Sequence, residues 1–71
     1  MTSLLKTDWG NVERLIENML NEHLRTWGFY DYFIINDSTV LIKVYDYDTQ
    51  RLMFTIKAQL IGEKLEVIEV W

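Results

Sequence analysis

The chain contains no cysteine and a single histidine, so neither a disulfide framework nor a clustered zinc site is available to staple it. It has no apolar run long enough for a membrane span, and no glycine-rich loop precedes its helical segment. Basic residues are few and dispersed: Lys6, Arg14, Arg25, Lys43, Arg51, Lys57 and Lys64 include no adjacent pair. With a formal net charge of −4, that dispersal disfavours binding to a phosphate backbone, which needs clustered Lys and Arg. An acidic surface is better suited to a basic protein partner, met through electrostatic steering. The opening stretch from Met1 to Thr7 lacks the extended apolar core of a signal peptide. Together with the missing cysteines, this leads us to expect a soluble, cytoplasmic protein.

What is present is a sharp change of period. Val12, Leu15, Ile16, Met19, Leu20, His23, Leu24 and Trp27 recur at the spacing that lines one face of an α-helix. Asp8 is the expected N-cap, with Asn11 as the alternative, and Gly28 is the expected left-handed residue just past a helix end near Thr26 or Trp27. The opposite face carries Glu13, Arg14, Glu17, Asn18, Asn21, Glu22 and Arg25, a charged surface expected to be solvated. Beyond Gly28 the apolar residues alternate, as Leu52, Phe54, Ile56, Ala58 and Leu60 do against Arg51, Met53, Thr55, Lys57 and Gln59.

Four strands are expected, over residues 30–35, 39–45, 51–60 and 64–70, separated by turn-forming residues at 36–38, at 46–49 and around Gly62. Placing Gly62 first in a two-residue loop sets Leu60 against Leu65 and Ala58 against Val67. That register would leave Ile56 facing Glu69 unless a bulge near Val67–Ile68 brings Val70 opposite it. Short loops make the strands antiparallel. The fold class is therefore α+β, with one N-terminal helix packed on a four-stranded antiparallel meander as a two-layer single domain of 71 residues. A domain this small, without staples, sits near the limit of independent stability, and self-association as a two-fold homodimer is expected, either through the sheet face bearing Leu41, Tyr45, Tyr47 and Met53 or by pairing of an edge strand such as residues 64–71.

The residues that carry chemistry are sparse. His23 has no evident catalytic partner and is expected to pack at the edge of the core. Asp46-Tyr47-Asp48 begins like a calcium loop but lacks the glycine and the distal glutamate, so no metal is expected, nor any cofactor. No nucleophile has a base beside it, and an enzyme is not expected. The best candidate binding surface is the sheet face turned away from the helix, where Leu41, Lys43, Tyr45 and Tyr47 should be joined by Met53. Either another molecule covers this face, or its tyrosines and an N-terminal arm with Leu4 and Leu5 shield it.

From Val12 to Val70 the layout resembles the first part of the cyanobacterial excision-controlling factors of the XisI type, with an opening helix ending Leu-Asn-Glu and then a meander. Residues 46–51, Asp-Tyr-Asp-Thr-Gln-Arg, stand where that family has a Gly-Trp-Asp-Gly-like turn followed by Arg, and residues 60–65 resemble its Gly-Lys-containing hairpin. The Gly-Trp pair and the histidine of the third strand are absent. The resemblance implies a phage or mobile-element origin and an accessory role in DNA excision or recombination. The residues themselves point first to a small non-enzymatic interaction protein, an inhibitor or adaptor acting by protein–protein contacts, with DNA excision as the alternative.

Overall fold

The computed structural model describes Leu4, Leu5 and residues 8–71. One helix, α1 (Trp9–His23), precedes four strands, β1 (Phe29–Asn36), β2 (Thr39–Tyr45), β3 (Leu52–Ile61) and β4 (Lys64–Val70), in the spatial order β1-β2-β3-β4 with every neighbour antiparallel. This is the two-layer α+β domain that the change of period implies. None of its described helices is long and apolar enough to cross a membrane.

Asp8 caps α1 from an extended conformation, its carboxylate accepting the Asn11 backbone N–H at 2.8 Å. Val12, Ile16, Met19 and Leu20 form the buried stripe of the helix and meet Val40, Ile42 and Val44 of β2, Ile56 and Ala58 of β3, and Leu65 of β4. Leu4 joins this same core, its backbone N–H held by the Asp37 carbonyl at 2.8 Å. The N-terminal arm therefore packs on the helix side at Leu4 and does not shield the opposite face there.

The helix stops four residues short of Trp27. Leu24 is already extended, and its N–H closes the last turn on the Leu20 carbonyl at 2.8 Å. The reason lies in the path of the chain. At its C-terminal end Glu22 pairs with Lys64 at the start of β4, 3.4 Å apart, whereas the chain must next enter β1 at the opposite edge of the sheet. Three strand spacings amount to roughly 14 Å, a distance that five extended residues at about 3.3 Å each can span and five helical residues at about 1.5 Å cannot. His23 consequently sits exposed in the last helical turn and is not packed at the core edge.

Gly28 is not a helix cap either. Its N–H donates to the Tyr45 carbonyl at 2.9 Å, and a Cβ at this position would stand 2.5 Å from the Tyr47 backbone. Close approach of two chain segments, not a left-handed conformation, accounts for the glycine.

The last hairpin has the register expected of it. Ile61 pairs with Lys64, Leu60 with Leu65 and Ala58 with Val67, and a bulge at Ile68 brings Val70 opposite Ile56. Gly62 has φ 66° and Glu63 does not share a positive φ, as a type II′ turn requires. The turn after β2 closes through Asp46, whose carboxylate accepts the Thr49 hydroxyl at 2.9 Å and is held below its ordinary pKa chiefly by that bond. Gln50 completes this turn at φ 58°. Strand β2 therefore ends at Tyr45, and Tyr47, 78% exposed, stands in the turn and not on the strand.

Candidate functional site

Two surfaces of the sheet present groups able to bind, and β1 contributes to both. On the face away from the helix, the register aligns Phe29 with Tyr45 and Leu52, Asp31 with Lys43 and Thr55, and Phe33 with Leu41, Lys57 and Glu69. Trp71 extends the pairing beyond Val70, exchanging both backbone hydrogen bonds with Thr55 at 2.7 and 2.9 Å. Phe29 stacks on Tyr45 with ring centroids 4.9 Å apart and planes within 12°. The Lys43 ammonium lies 5.7 Å from the Phe33 ring centroid, a cation–π contact. Thr55, flanked in register by Lys43 and Trp71, is only 6% exposed, whereas Phe29, Phe33, Leu52 and Trp71 remain open to solvent.

Of the five residues expected on this face, Leu41, Lys43 and Tyr45 lie together along β2 and are half-buried. Met53 occupies the irregularity where β3 shifts register against Val44 and Tyr45, and it is exposed. Tyr47 lies in the neighbouring turn. Phe29, Phe33, Leu52 and Trp71 complete the surface. Apolar residues at every position from Phe33 to Ile35 were the signal for the β1 members, because a strand apolar at successive positions has no purely solvent face.

The second surface is a groove of about 890 Å³ between α1 and β1. Trp9, Glu13 and Glu17 recur at i, i+4 spacing along one flank of the helix and face Trp27, Tyr30 and Tyr32. The Tyr30 hydroxyl donates to the Glu17 carboxylate at 2.9 Å. Burial, and then this hydrogen bond, push the Tyr30 pKa well above its ordinary value. Burial and the neighbouring Glu13 carboxylate raise Tyr32 as well. Trp27 packs edge-on against Tyr30 at 5.5 Å, and its indole N–H reaches Asn21 at 3.3 Å.

Glu13 and Glu17 are thus half-buried members of a polar and aromatic wall and do not belong to a wholly solvated helix face. Their i, i+4 recurrence after Trp9 was the available signal. On the remaining helix surface Arg14 donates to Asn11, and Glu22 pairs with Lys64. Among the described residues, no group of three or more His, Cys, Asp or Glu side chains is placed to hold a metal ion.

No protein-family model matches the chain, and no curated protein or solved structure matches it either.

Proposed function

We propose that this chain is a small non-enzymatic interaction protein, an inhibitor or adaptor that works in the cytoplasm through protein–protein contacts, and that its sheet face opposite the helix closes on a second copy to form a two-fold dimer. The observation that carries this reading is the composition of that face. Phe29, Phe33, Leu41, Tyr45, Leu52 and Trp71 supply apolar area on a sheet that is a single layer on this side. Its charges balance as well: Asp31 and Glu69 stand in the same rows as Lys43 and Lys57. A two-fold contact brings each patch against its own copy, so a face of mixed sign can complement itself where a face of one sign would repel. The same interleaving leaves no continuous basic stripe across these strands, which favours a protein partner over DNA.

Sedimentation equilibrium of the purified protein tests the reading. Wild type should behave as twice the 8.6 kDa chain at tens of micromolar. Leu41→Glu combined with Tyr45→Glu should give the monomer with its helix content intact. Val70→Pro separates this geometry from an edge-paired dimer. Because Trp71 spends both backbone groups on Thr55, Val70 directs its N–H to the free edge of β4, and proline there removes only an outward donor. The face-to-face dimer survives that change and an edge-paired dimer does not. A wild-type monomer at these concentrations, or a hydrolase or nuclease activity abolished by one carboxylate substitution, overturns the reading.

A further inference from the structure

The groove between α1 and β1 is lined by every residue from Trp27 to Ile34. Successive residues of a strand point to opposite faces, so the unbroken run of six within β1, Phe29 to Ile34, can line one space only if that space follows the strand's edge. In the sheet order β1 has β2 on one side, and no described strand pairs with the other. Alternate backbone N–H and C=O groups along that edge are therefore offered to an incoming strand.

The two edges of the sheet are not equally guarded. β4 carries Lys64, Glu66 and Glu69 and is bent by the bulge at Ile68, devices that discourage further pairing. β1 runs regularly from Phe29 to Ile34, without lysine or proline, and its one charged residue is Asp31. Resting on the reading of this chain as an interaction protein, we propose that the free edge of β1 docks an extended segment of a basic partner protein, which adds as a fifth strand and places Arg or Lys side chains in the groove among Trp9, Trp27, Glu13 and Glu17.

Charge and geometry select this occupant. The described lining holds Glu13, Glu17 and Asp31 and no Lys, Arg or His. The Tyr30 hydroxyl orients Glu17 through its hydrogen bond, and Glu13 lies beside Tyr32 on the same wall. Indole and phenol faces beside the carboxylates suit a guanidinium or ammonium, which gains cation–π attraction and charge-assisted hydrogen bonds together. A second copy of this chain fits poorly. Pairing β1 with β1 would gather the same three acidic residues from each copy, with like charges opposed. About 890 Å³ of space accommodates several side chains, as a strand would present, and exceeds what a lone ion needs.

The test is a titration with octapeptides of alternating arginine and valine, read by tryptophan fluorescence and by amide chemical shifts. A citrulline–valine peptide serves as the neutral isostere. The arginine peptide should bind and perturb the amides of β1 together with the indoles of Trp9 and Trp27. Affinity should fall at least about tenfold for the citrulline peptide, and similarly for the arginine peptide on a Glu13→Gln, Glu17→Gln variant. Glutamine can still accept the tyrosyl hydroxyls, so the fold is expected to hold in that variant.

N-methylation of alternate peptide residues checks the added strand. One of the two alternating sets should abolish binding and the other should not, because only every second N–H faces β1. Equal binding of the arginine and citrulline peptides, indifference to both N-methyl sets, or no binding of the arginine peptide at millimolar concentration overturns the proposal. None of these results disturbs the dimer, whose mass is measured separately. A wild-type monomer that still binds the arginine peptide would remove the face-to-face reading and leave the β1 site standing.

Discussion

The outer sheet face and the groove beside α1 share a strand yet differ in kind. Phe29, Asp31 and Phe33 of β1 contribute to a broad face of mixed charge and only reach the groove along the strand's edge, whereas Tyr30 and Tyr32, between them in sequence, turn to the helix side and wall that concave space, whose described charges are all negative. The pleat makes this division possible: alternate side chains of one strand answer to different neighbours and can be tuned separately. The two surfaces also gain order by different means. Outer-face rings are fixed by one another, as in the Phe29–Tyr45 stack, whereas the groove is fixed by hydrogen bonds that tie helix to sheet, Tyr30 to Glu17 above all. A balanced face suits self-association, and a face of one sign suits a partner of the other.

The change expected to cost most should weaken both surfaces at once. Leu20 is fully buried between helix and sheet, and Leu20→Ala should lower unfolding free energy by roughly 2–5 kcal/mol in urea titration. A loss under about 1 kcal/mol would mean that α1 does not carry the core. Gly28 lies at the junction, between Trp27 of the groove and Phe29 of the outer face. Gly28→Ala drives a Cβ to 2.5 Å from the Tyr47 backbone and should cost about 1–3 kcal/mol while disturbing both surfaces.

Gly62→Val is the control for that result. It strains a residue at φ 66° with open space around it, so a loss on the order of 1–3 kcal/mol should leave the environments of both surfaces unchanged in amide spectra. An unchanged midpoint would contradict the turn.

The smallest effect separates the two surfaces most cleanly. Tyr30→Phe removes the Glu17 bond and should cost about 0.5–1.5 kcal/mol near neutral pH, towards the lower end because solvent screens an open groove. The pH dependence has a definite sign. Folded Tyr30 keeps its proton above the ordinary tyrosine value of 10.0, so its contribution is complete below pH 10 and is lost as pH rises beyond it, where the unfolded chain ionises first. Wild type should therefore lose stability more steeply than Tyr30→Phe above pH 10. Parallel slopes would show that Tyr30 is not held protonated by its surroundings.

Much of this architecture was legible in the residues. The placing of Leu41, Lys43 and Tyr45 on the outward face of β2 left Val40, Ile42 and Val44 to the core, where they are buried, and the mismatch between Ile56 and Glu69 was enough to require the bulge at Ile68. What escaped was set by tertiary geometry. The apolar pattern ran on to Trp27, but the crossing from one sheet edge to the other needs extended chain, so the helix ended at His23. The turn at 46–49 was legible, yet Tyr47 was also expected on the outer face by continuing the alternation of β2, and the local Asp46–Thr49 bond holds it in the turn instead. Glu13 and Glu17 resembled any solvated helical pair, because only the position of β1 reveals that Tyr30 and Tyr32 stand opposite them.

The most direct test of the central contrast is an amide-shift titration of the wild-type protein with the alternating arginine–valine octapeptide, run beside sedimentation equilibrium on the same samples. Perturbations should gather on β1 and on the Trp9 and Trp27 indoles, leave Leu41 and Leu52 unmoved, and keep the sedimenting protein at twice the 8.6 kDa chain mass. Perturbations centred on Leu41 and Leu52, or dissociation of the dimer by the peptide, would contradict the assignment of separate roles to the two surfaces.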